Sequence, residues 1–294
     1  MEHALTFDLE NRTATKYNEE TGEVLERFRM VSEEDDKKAQ RQREGLKKAQ
    51  LREEARNKRG NDLEFIQCIQ EPLTKLVSEP ELIECGYFMR LLSHMRQKNG
   101  GLLTDGKEPL KQAKIQKIFD KGDRRTREIL TRLEEVGLIK SQLVKRSKVY
   151  YVNEVFHTRG KQKGKKAHFV KLMKDELDKN IRRLSNEALG LLYKIIPFFH
   201  YKNFMLTTTP NETDLDKVKA LSLAGLAKLL NHDEDTIDKY MNELNDNGVV
   251  LYTKTKKSHV CYVHPDVLWS DTESNTDKAD ELRADFLREM FKAH

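Results

Sequence analysis

The chain of 294 residues lacks any run of about eighteen apolar residues, the length that a membrane-spanning helix needs, so we expect no membrane partner. It has only three cysteines, Cys68, Cys85 and Cys261, and no C-x-x-C pair. Three thiols cannot all be bridged, and the usual spacing of a structural zinc site is missing. The first residues also lack the basic and apolar regions of a secretory signal. We therefore expect a reduced, cytoplasmic protein with no metal and no small-molecule cofactor.

Charge is abundant but unevenly placed. Charged residues make up 35% of the chain and hydrophobic residues 37%, with a formal net charge of +5. Residues 107–183 carry 23 basic and 10 acidic side chains, whereas residues 1–106 carry 18 and 21, and residues 207–294 carry 11 and 17. An asymmetry of this size indicates that the middle of the chain has a surface for a polyanion such as nucleic acid.

The first sixty residues, 1–60, differ from the rest. Residues 4–29 alternate apolar and polar side chains around a turn that contains a glycine, which predicts a β-hairpin. Residues 32–59 predict a charged helix, in which apolar positions are too few for a coiled-coil seam, so a solvated arm is favoured over a weak coiled coil. Residues 63–77 have apolar side chains at helical spacing, interrupted by Pro72.

Residues 61–156 predict a winged helix-turn-helix domain. A helix that begins near residue 84 has a buried stripe, and a glycine-containing loop follows it. Gly137 then ends the third helix as a left-handed cap. The predicted elements after the loop are a helix over Leu110–Phe119, a helix over Arg124–Val136, and strands over Leu138–Val144 and Lys148–Asn153.

The same pattern then repeats. Adding 111 to a residue number relates Leu110 to Leu221, Phe119 to Leu230, Leu130 to Met241, Leu133 to Leu244, Gly137 to Gly248, Ile139 to Val250 and Tyr151 to Tyr262. One offset that fits two helices, the cap and the hairpin predicts a second winged-helix domain over residues 184–268. Residues 157–183 are then a basic linker. Residues 277–294 predict an amphipathic helix, which either docks onto its own domain or pairs with a second subunit.

The expected fold class is therefore mainly α with small β-hairpins: tandem winged helix-turn-helix domains preceded by a β-hairpin and a charged helical arm. In such a domain the third helix enters the major groove, and its first turn meets the base edges. Arginine suits that place because its planar fork matches guanine acceptors or phosphate. The predicted DNA-binding residues are Lys121, Arg124, Arg125 and Arg127 at the reading helix, Lys145, Arg146 and Lys148 at the hairpin, Lys161, Lys163, Lys165 and Lys166 in the linker, and Lys254, Lys256 and Lys257 in the second hairpin. The alternative is a solvated surface on which these arginines pair with Glu128 or Glu134.

The second domain differs in charge. The repeat places Asp235, Thr236 and Asp238 where the first domain has its three arginines. Carboxylates are repelled by a groove lined with phosphates. We therefore expect the first domain to read DNA sequence and the second to bind protein or the DNA backbone.

Three motifs could belong to an enzyme, and each lacks a necessary part. Residues 101–107 resemble a phosphate-binding loop, but Glu108 stands where Ser or Thr should hold magnesium. Tyr150 and Tyr151 could nick DNA only beside a His-x-His metal cluster, which the sequence does not contain. His259, Cys261 and His264 lie close together in the sequence. On a strand, His259 and Cys261 would face one way and His264 the other, which is poor geometry for zinc. We therefore expect no catalytic residues and no enzymatic activity.

The motifs resemble those of a known group. Residues 184–200, residues 223–230 and the ending Tyr262–Pro265 are similar to winged-helix replication proteins of Gram-positive plasmids and phages, of the RepL type. Residues 123–139 resemble the same group, and tandem winged helices resemble the iteron-binding plasmid initiators. The resemblance covers residues 84–265, and His264 replaces the asparagine of the family's closing motif.

The resemblance and the charge pattern together predict a sequence-specific double-stranded DNA-binding protein of a plasmid or phage that acts in replication initiation. The first alternative is a transcriptional regulator, which would use the same DNA surface and would use the second domain for dimerisation or effector response. The second alternative is a protein-interaction adaptor, whose winged helices would bind other proteins. A homodimer could form through the second winged helix or the C-terminal helix.

Overall fold

The computed structural model describes residues 3–8, 13–29, 37, 64–97, 99–160, 168–254, 259–270 and 276–292. The chain divides into two compact units, Met1–Asn61 and Asp62–His294. Helix accounts for 44% and strand for 27% of the described residues, so the fold is mixed α and β with small antiparallel sheets, and the expectation of a mainly α protein is met only in part. None of the helices in these ranges is long and apolar enough to cross a membrane.

The first unit contains a three-stranded antiparallel sheet in the order β1-β2-β3. The strands are β1 (His3–Asp8), β2 (Thr13–Asn18) and β3 (Val24–Arg29). The predicted hairpin corresponds to β2 and β3, and Gly22 in its turn has a φ of 70°, which glycine adopts without strain. Strand β1 adds a third strand that the hairpin prediction did not separate. The predicted helical arm over residues 32–59 lies outside the described residues apart from residue 37.

The second unit is built from two halves that share an order of elements, except that the first half has an additional hairpin, β5–β6. The first half contains β4 (Phe65–Ile69), α1 (Gln70–Leu76), α2 (Leu82–Leu92), β5 (Thr104–Asp105), β6 (Glu108–Pro109), α3 (Gln112–Phe119), α4 (Asp123–Glu135), β7 (Ile139–Val144), β8 (Ser147–Val152) and β9 (His157–Thr158). The second half contains β10 (Phe169–Met173), α5 (Lys174–Arg183), α6 (Asn186–Ile195), α7 (Leu223–Leu230), α8 (Glu234–Asp246), β11 (Val250–Lys254), β12 (His259–Val263) and β13 (Leu268–Trp269). Helix α9 (Thr276–Lys292) follows.

Two predictions between residues 61 and 183 are corrected. The helix expected over residues 63–77 begins only at Gln70, because Phe65–Ile69 are a buried strand whose run of apolar residues also fits a helical pattern. Pro72 is the third residue of α1, where a backbone N–H has no partner within the helix. Residues 157–183, expected to be a linker, contain β9, β10 and α5, while residues 161–167 lie outside the described ranges.

The offset of 111 relates the later elements of the two halves. Helices α3 and α7 begin and end at equivalent residues, and so do α4 and α8. The caps also correspond: Asp120 and Asn231 have φ values of 50° and 56°, and Gly137 and Gly248 have φ values of 76° and 68°. The offset even relates β9 to β13. The internal repeat predicted from the sequence is therefore present in the backbone.

A second offset, of 104, relates the earlier elements. It carries β4 onto β10 and the start of α2 onto the start of α6. Strands β4 and β10 are antiparallel neighbours at the centre of the sheet β13-β10-β4-β9, and Gln67 pairs with its own counterpart Lys171. Ile66 accordingly pairs with Leu172 and Cys68 with Val170. This reciprocal register is what a two-fold axis between the halves produces.

The same symmetry governs the central helix pair, α2 and α6. A Cβ atom added to Gly86 would overlap the backbone carbonyl of Asn186, and one added to Gly190 would overlap the carbonyl of Leu82. The offset of 104 exchanges these two contacts. Glycine therefore lets the helices touch backbone to backbone at both places. The helices and the four-stranded sheet join the halves through one hydrophobic core.

The C-terminal helix α9 packs on its own unit, the first of the two alternatives. Ala279, Leu282 and Phe286 are buried, and the ring of Phe286 lies 4.5 Å from the ring of His264. The Arg283 guanidinium pairs with the carboxylate of Asp266 at 2.6 Å. The apolar stripe on this helix is therefore used at least in part within the chain.

Candidate nucleic-acid interface

The start of α4 is held firmly against α3. The carboxylate of Asp123 accepts hydrogen bonds from the side-chain amides of Gln112 and Gln116, each at 2.7 Å. Thr126 is fully buried and donates its hydroxyl to the carbonyl of Lys121 at 3.3 Å. These bonds set the tight turn between the two helices and fix the direction in which the first turn of α4 points.

The first turn of α4 presents the three predicted arginines to solvent. The side chains of Arg124, Arg125 and Arg127 are 92%, 59% and 64% exposed. The opposite face of the helix is buried in the core through Ile129, Leu130 and Leu133, as its sequence pattern predicts. The helix therefore displays guanidinium groups on one side because its apolar residues occupy the other.

The arginines also form ion pairs along their own helix. The Glu128 carboxylate accepts from Arg124 and from Arg125, each at 3.0 Å, and Arg127 pairs with Asp123. These hydrogen bonds, that from Arg125 foremost, lower the pKa of Glu128. Exposed pairs of this kind contribute only about 0–1 kcal/mol, so the guanidinium groups can exchange carboxylate for another anion at little cost. The pairing expected in the alternative interpretation thus occurs with Glu128 but not with Glu134, which lies 3.8 Å from Lys148.

The hairpin β7–β8 carries two further predicted residues at its tip. Lys145 and Arg146 form a two-residue turn with φ values of 45° and 67°, and both are exposed. Turns of this type usually contain Asn and Gly, because other residues are strained in the left-handed region. The two basic residues therefore occupy a turn whose backbone conformation is unfavourable for them. Strain of this sort is concentrated at functional sites.

Apolar side chains lie beside the basic tip, where the charge pattern predicted only basic contact residues. Leu143 and Val144, the last two residues of β7, are 71% and 41% exposed. The signal that could have found them is the break in alternation just before Lys145, where two apolar residues follow each other. An exposed apolar pair at the end of a basic hairpin is typical of a surface that contacts another molecule.

The comparisons with known proteins add no assignment. No family model, no curated protein and no solved structure matches the chain. The site must therefore be judged from its own geometry and charge.

The other predicted DNA-binding residues fall in different places. Lys121 is exposed in the turn before α4, and Lys148 is exposed on β8. Lys254 ends β11, and its side chain is not described. The remaining predicted lysines lie outside the described residues: Lys161, Lys163, Lys165, Lys166, Lys256 and Lys257.

The equivalent surface of the second half is acidic. Helix α8 begins after Asp233, whose carboxylate caps the helix by accepting the Thr236 N–H at 2.7 Å. Glu234 and Asp235 are exposed in the first turn. The matching bounds of α4 and α8 place Asp235 at the position of Arg124. The two halves thus share a backbone but present opposite charge at the same place.

The motifs considered for enzymatic chemistry have structural roles. Residues 104–109 form a tight two-stranded hairpin, β5–β6, rather than a strand-to-helix phosphate loop. Tyr150 is 2% exposed and packs in the core. Cys261 is buried with its Sγ 3.7 Å from the Sδ of Met241, and His264 contacts α9. Within the described ranges, no cluster of three or more His, Cys, Asp and Glu side chains could hold a metal ion.

Proposed function

We propose that the chain is a non-enzymatic, sequence-specific double-stranded DNA-binding protein made of two winged-helix domains. The observation that carries this proposal is the first turn of α4, where three arginines are exposed, together with the hairpin β7–β8 that follows α4 and has the exposed Lys145 and Arg146 at its tip. The order of three helices and a two-stranded wing is the order in which winged-helix proteins insert a reading helix into the major groove.

The difference between α4 and α8 supports a division of labour. Helix α4 offers guanidinium groups that can bind guanine edges or phosphates. Helix α8 instead has Asp235 at the position of Arg124, and phosphates repel its carboxylate. We assign sequence reading to the first half and contact with protein or the DNA backbone to the second half. A plasmid or phage origin and a role in replication initiation rest on the resemblance of the sequence motifs to RepL-type and iteron-binding proteins.

The decisive experiment measures the affinity of the full chain for its own replicon DNA. Arg124→Ala or Arg127→Ala should each cost about 1–3 kcal/mol of specific binding, because each removes a base or phosphate contact. Lys145→Ala should weaken binding to all sequences about equally and reduce the slope of affinity against salt by about one contact.

The repeat supplies a matched control. Asp235 occupies the position of Arg124 on α8, so Asp235→Ala changes an exposed charge at the same place on the same backbone. It should leave specific affinity unchanged or slightly raised. Unchanged affinity in both arginine variants, or an equal loss in Asp235→Ala, would exclude α4 as the reading helix.

The salt dependence of DNA affinity and the pattern of the DNA footprint distinguish the candidate functions. About six phosphate contacts should lower affinity roughly a thousandfold between 50 and 200 mM salt, whereas a protein-interaction adaptor would show little change. A footprint over direct repeats would favour a replication initiator. Symmetric half-sites would favour a dimeric transcriptional regulator.

A further inference from the structure

A second basic site lies where the residues after α2, in the first half, meet the start of α5, in the second half. A cleft of about 400 Å³ is lined there by residues 93–97, the β5–β6 hairpin, Glu64, Arg159 and Lys174. Its volume is within the range of about 300–1,000 Å³ that small-molecule sites occupy. Its wall contains three cations, Arg96, Arg159 and Lys174, and the carboxylate of Glu64.

Packing holds two of these cations in place. The Arg159 side chain is only 10% exposed, donates to the carbonyl of Met95 and pairs with Glu64 at 2.6 Å. The Lys174 side chain is 19% exposed and pairs with Asp178 at 2.7 Å. Arg96 is exposed at the rim, where its guanidinium makes one long hydrogen bond of 3.4 Å to the carbonyl of Lys107. A guanidinium has five N–H donors, so Arg96 and Arg159 both keep donors for a ligand.

The symmetry-related place, where the residues after α6 meet the start of α1, is filled by packed side chains. The offset of 104 carries Lys174 back to Gln70, which is 4% exposed and donates to the carbonyls of Pro197 and Phe199 at 3.3 and 3.0 Å. The same offset carries Ser93 to Pro197 and His94 to Phe198, both of which are buried.

The remaining cations are also replaced in the second half. Arg96 corresponds to His200, which is fully buried and lies 2.9 Å from the carbonyl of Glu212. Arg159 corresponds, at the offset of 111, to Ser270. The symmetry-related place is therefore filled by apolar rings and a buried amide. The stability of the fold does not require an open, cationic cleft at the end of α2.

We propose that this cleft binds a small organic phosphate, of the size of a sugar phosphate or a mononucleotide. Arginine forks bind phosphate oxygens through paired hydrogen bonds, and lysine adds a point charge. A phosphate monoester carries about −1.5 to −2 at neutral pH, so it competes with the Glu64 and Asp178 carboxylates for Arg159 and Lys174 and also binds Arg96, whose guanidinium contacts a backbone carbonyl. The remaining volume accommodates the organic part beside the Ser93 and Thr104 hydroxyls.

The test titrates the full chain with inorganic phosphate, ribose 5-phosphate and adenosine 5′-monophosphate at constant ionic strength, by calorimetry and by thermal unfolding. One equivalent of an organic phosphate should bind and raise the midpoint of unfolding. Arg96→Gln and Lys174→Gln should each lower that affinity about tenfold or more, since each removes a charge-assisted contact. Arg96 is exposed, so its replacement leaves the core intact. Lys75→Gln, an exposed lysine on α1, is the control and should bind as the native chain does.

Two results would overturn the proposal. The first is that no organic phosphate binds, or that Arg96→Gln binds it as tightly as the native chain. The second concerns a DNA phosphate as the source of the anion. With no phosphate compound present, Arg96→Gln should keep full affinity for duplex DNA. If it instead loses as much as Lys145→Ala does, and organic phosphates do not compete, the cleft contacts DNA and is not a small-molecule site.

Discussion

At the scale of single residues, burial decides how several titratable groups of the second unit behave. His157 is fully buried against the rings of Phe88 and Tyr193, and its Nε2 lies 3.0 Å from the Tyr193 hydroxyl. Burial lowers the pKa of His157 to about 3. It also raises the pKa of the Cys85 and Cys261 thiols to about 12, which makes them weak nucleophiles in the folded chain.

His157 should make the folded state sensitive to acid. Its pKa is lower in the folded chain than the ordinary value near 6.5, so unfolding takes up a proton below that pH. The contribution to stability is complete above about pH 6.5 and is lost as the pH falls towards 3, at up to about 1.4 kcal/mol per pH unit. Denaturant unfolding at several pH values should show this slope in the native chain.

The repeat provides the variant that tests it. Position 157 corresponds to Leu268 at the offset of 111, so His157→Leu places in the first half the side chain that the second half already uses. Combining it with Tyr193→Phe removes the hydroxyl that would otherwise lose its partner. The double variant should unfold with a smaller pH slope. An unchanged slope would assign the acid sensitivity to other buried histidines.

At the scale of elements, the hairpin β7–β8 and the central helix pair differ in what they require of the backbone. The hairpin tip holds two basic residues in left-handed conformations, which costs stability. The pair α2 and α6 instead uses glycine where nothing else fits. The sequence patterns predicted the hairpin and both helices. The spacing of apolar residues does not reveal the backbone strain at the hairpin tip or the close contact between α2 and α6.

Arg146→Gly should separate the effect of the hairpin tip on stability from its effect on binding. Glycine adopts the φ of 67° without strain, so the variant should be up to about 1 kcal/mol more stable, while losing a cation should weaken its affinity for DNA. Thermal unfolding and DNA titration measure the two effects. Lys148→Gly, at an extended strand position, is the control and should lose about 0.5–1 kcal/mol of stability. A less stable Arg146→Gly chain would contradict the strain argument.

Gly86→Ala should destabilise the second unit by about 3 kcal/mol or more, because its methyl group would overlap the Asn186 carbonyl and force α2 and α6 apart. Gly190→Ala should cost a similar amount through the Leu82 carbonyl. Denaturant unfolding gives both values. Gly122 has no atom within 4 Å of its added Cβ, so Gly122→Ala should cost less than about 1 kcal/mol. Equal effects at Gly86 and Gly122 would mean that the helices are not in backbone contact.

At the scale of the whole molecule, the second unit should behave as one cooperative body. Strands from both halves form one sheet, and α2 and α6 bury each other at its centre. We expect the amides of residues 82–92 and 186–195 to exchange their hydrogens with the same free energy of opening. Hydrogen exchange at increasing denaturant measures this. The amides of the hairpin β7–β8 should exchange sooner, through local opening. Protection of α6 under conditions where α2 is fully exchanged would show that the halves unfold separately.

The sequence by itself determined the repeat at an offset of 111, the bounds of α4 and α8 to within a few residues, the glycine caps, and the opposite charge of the two first turns. Local signals carry all of these: helical periodicity, the left-handed preference of glycine, and the exclusion of charge from a core. Only the tertiary structure decided that residues 65–69 are a strand, that residues 157–183 are not a linker, and that an offset of 104 relates the halves about a two-fold axis. Those features depend on pairs of segments that touch across the core. An apolar run has the same spacing whether its partner is a neighbouring strand or a helix.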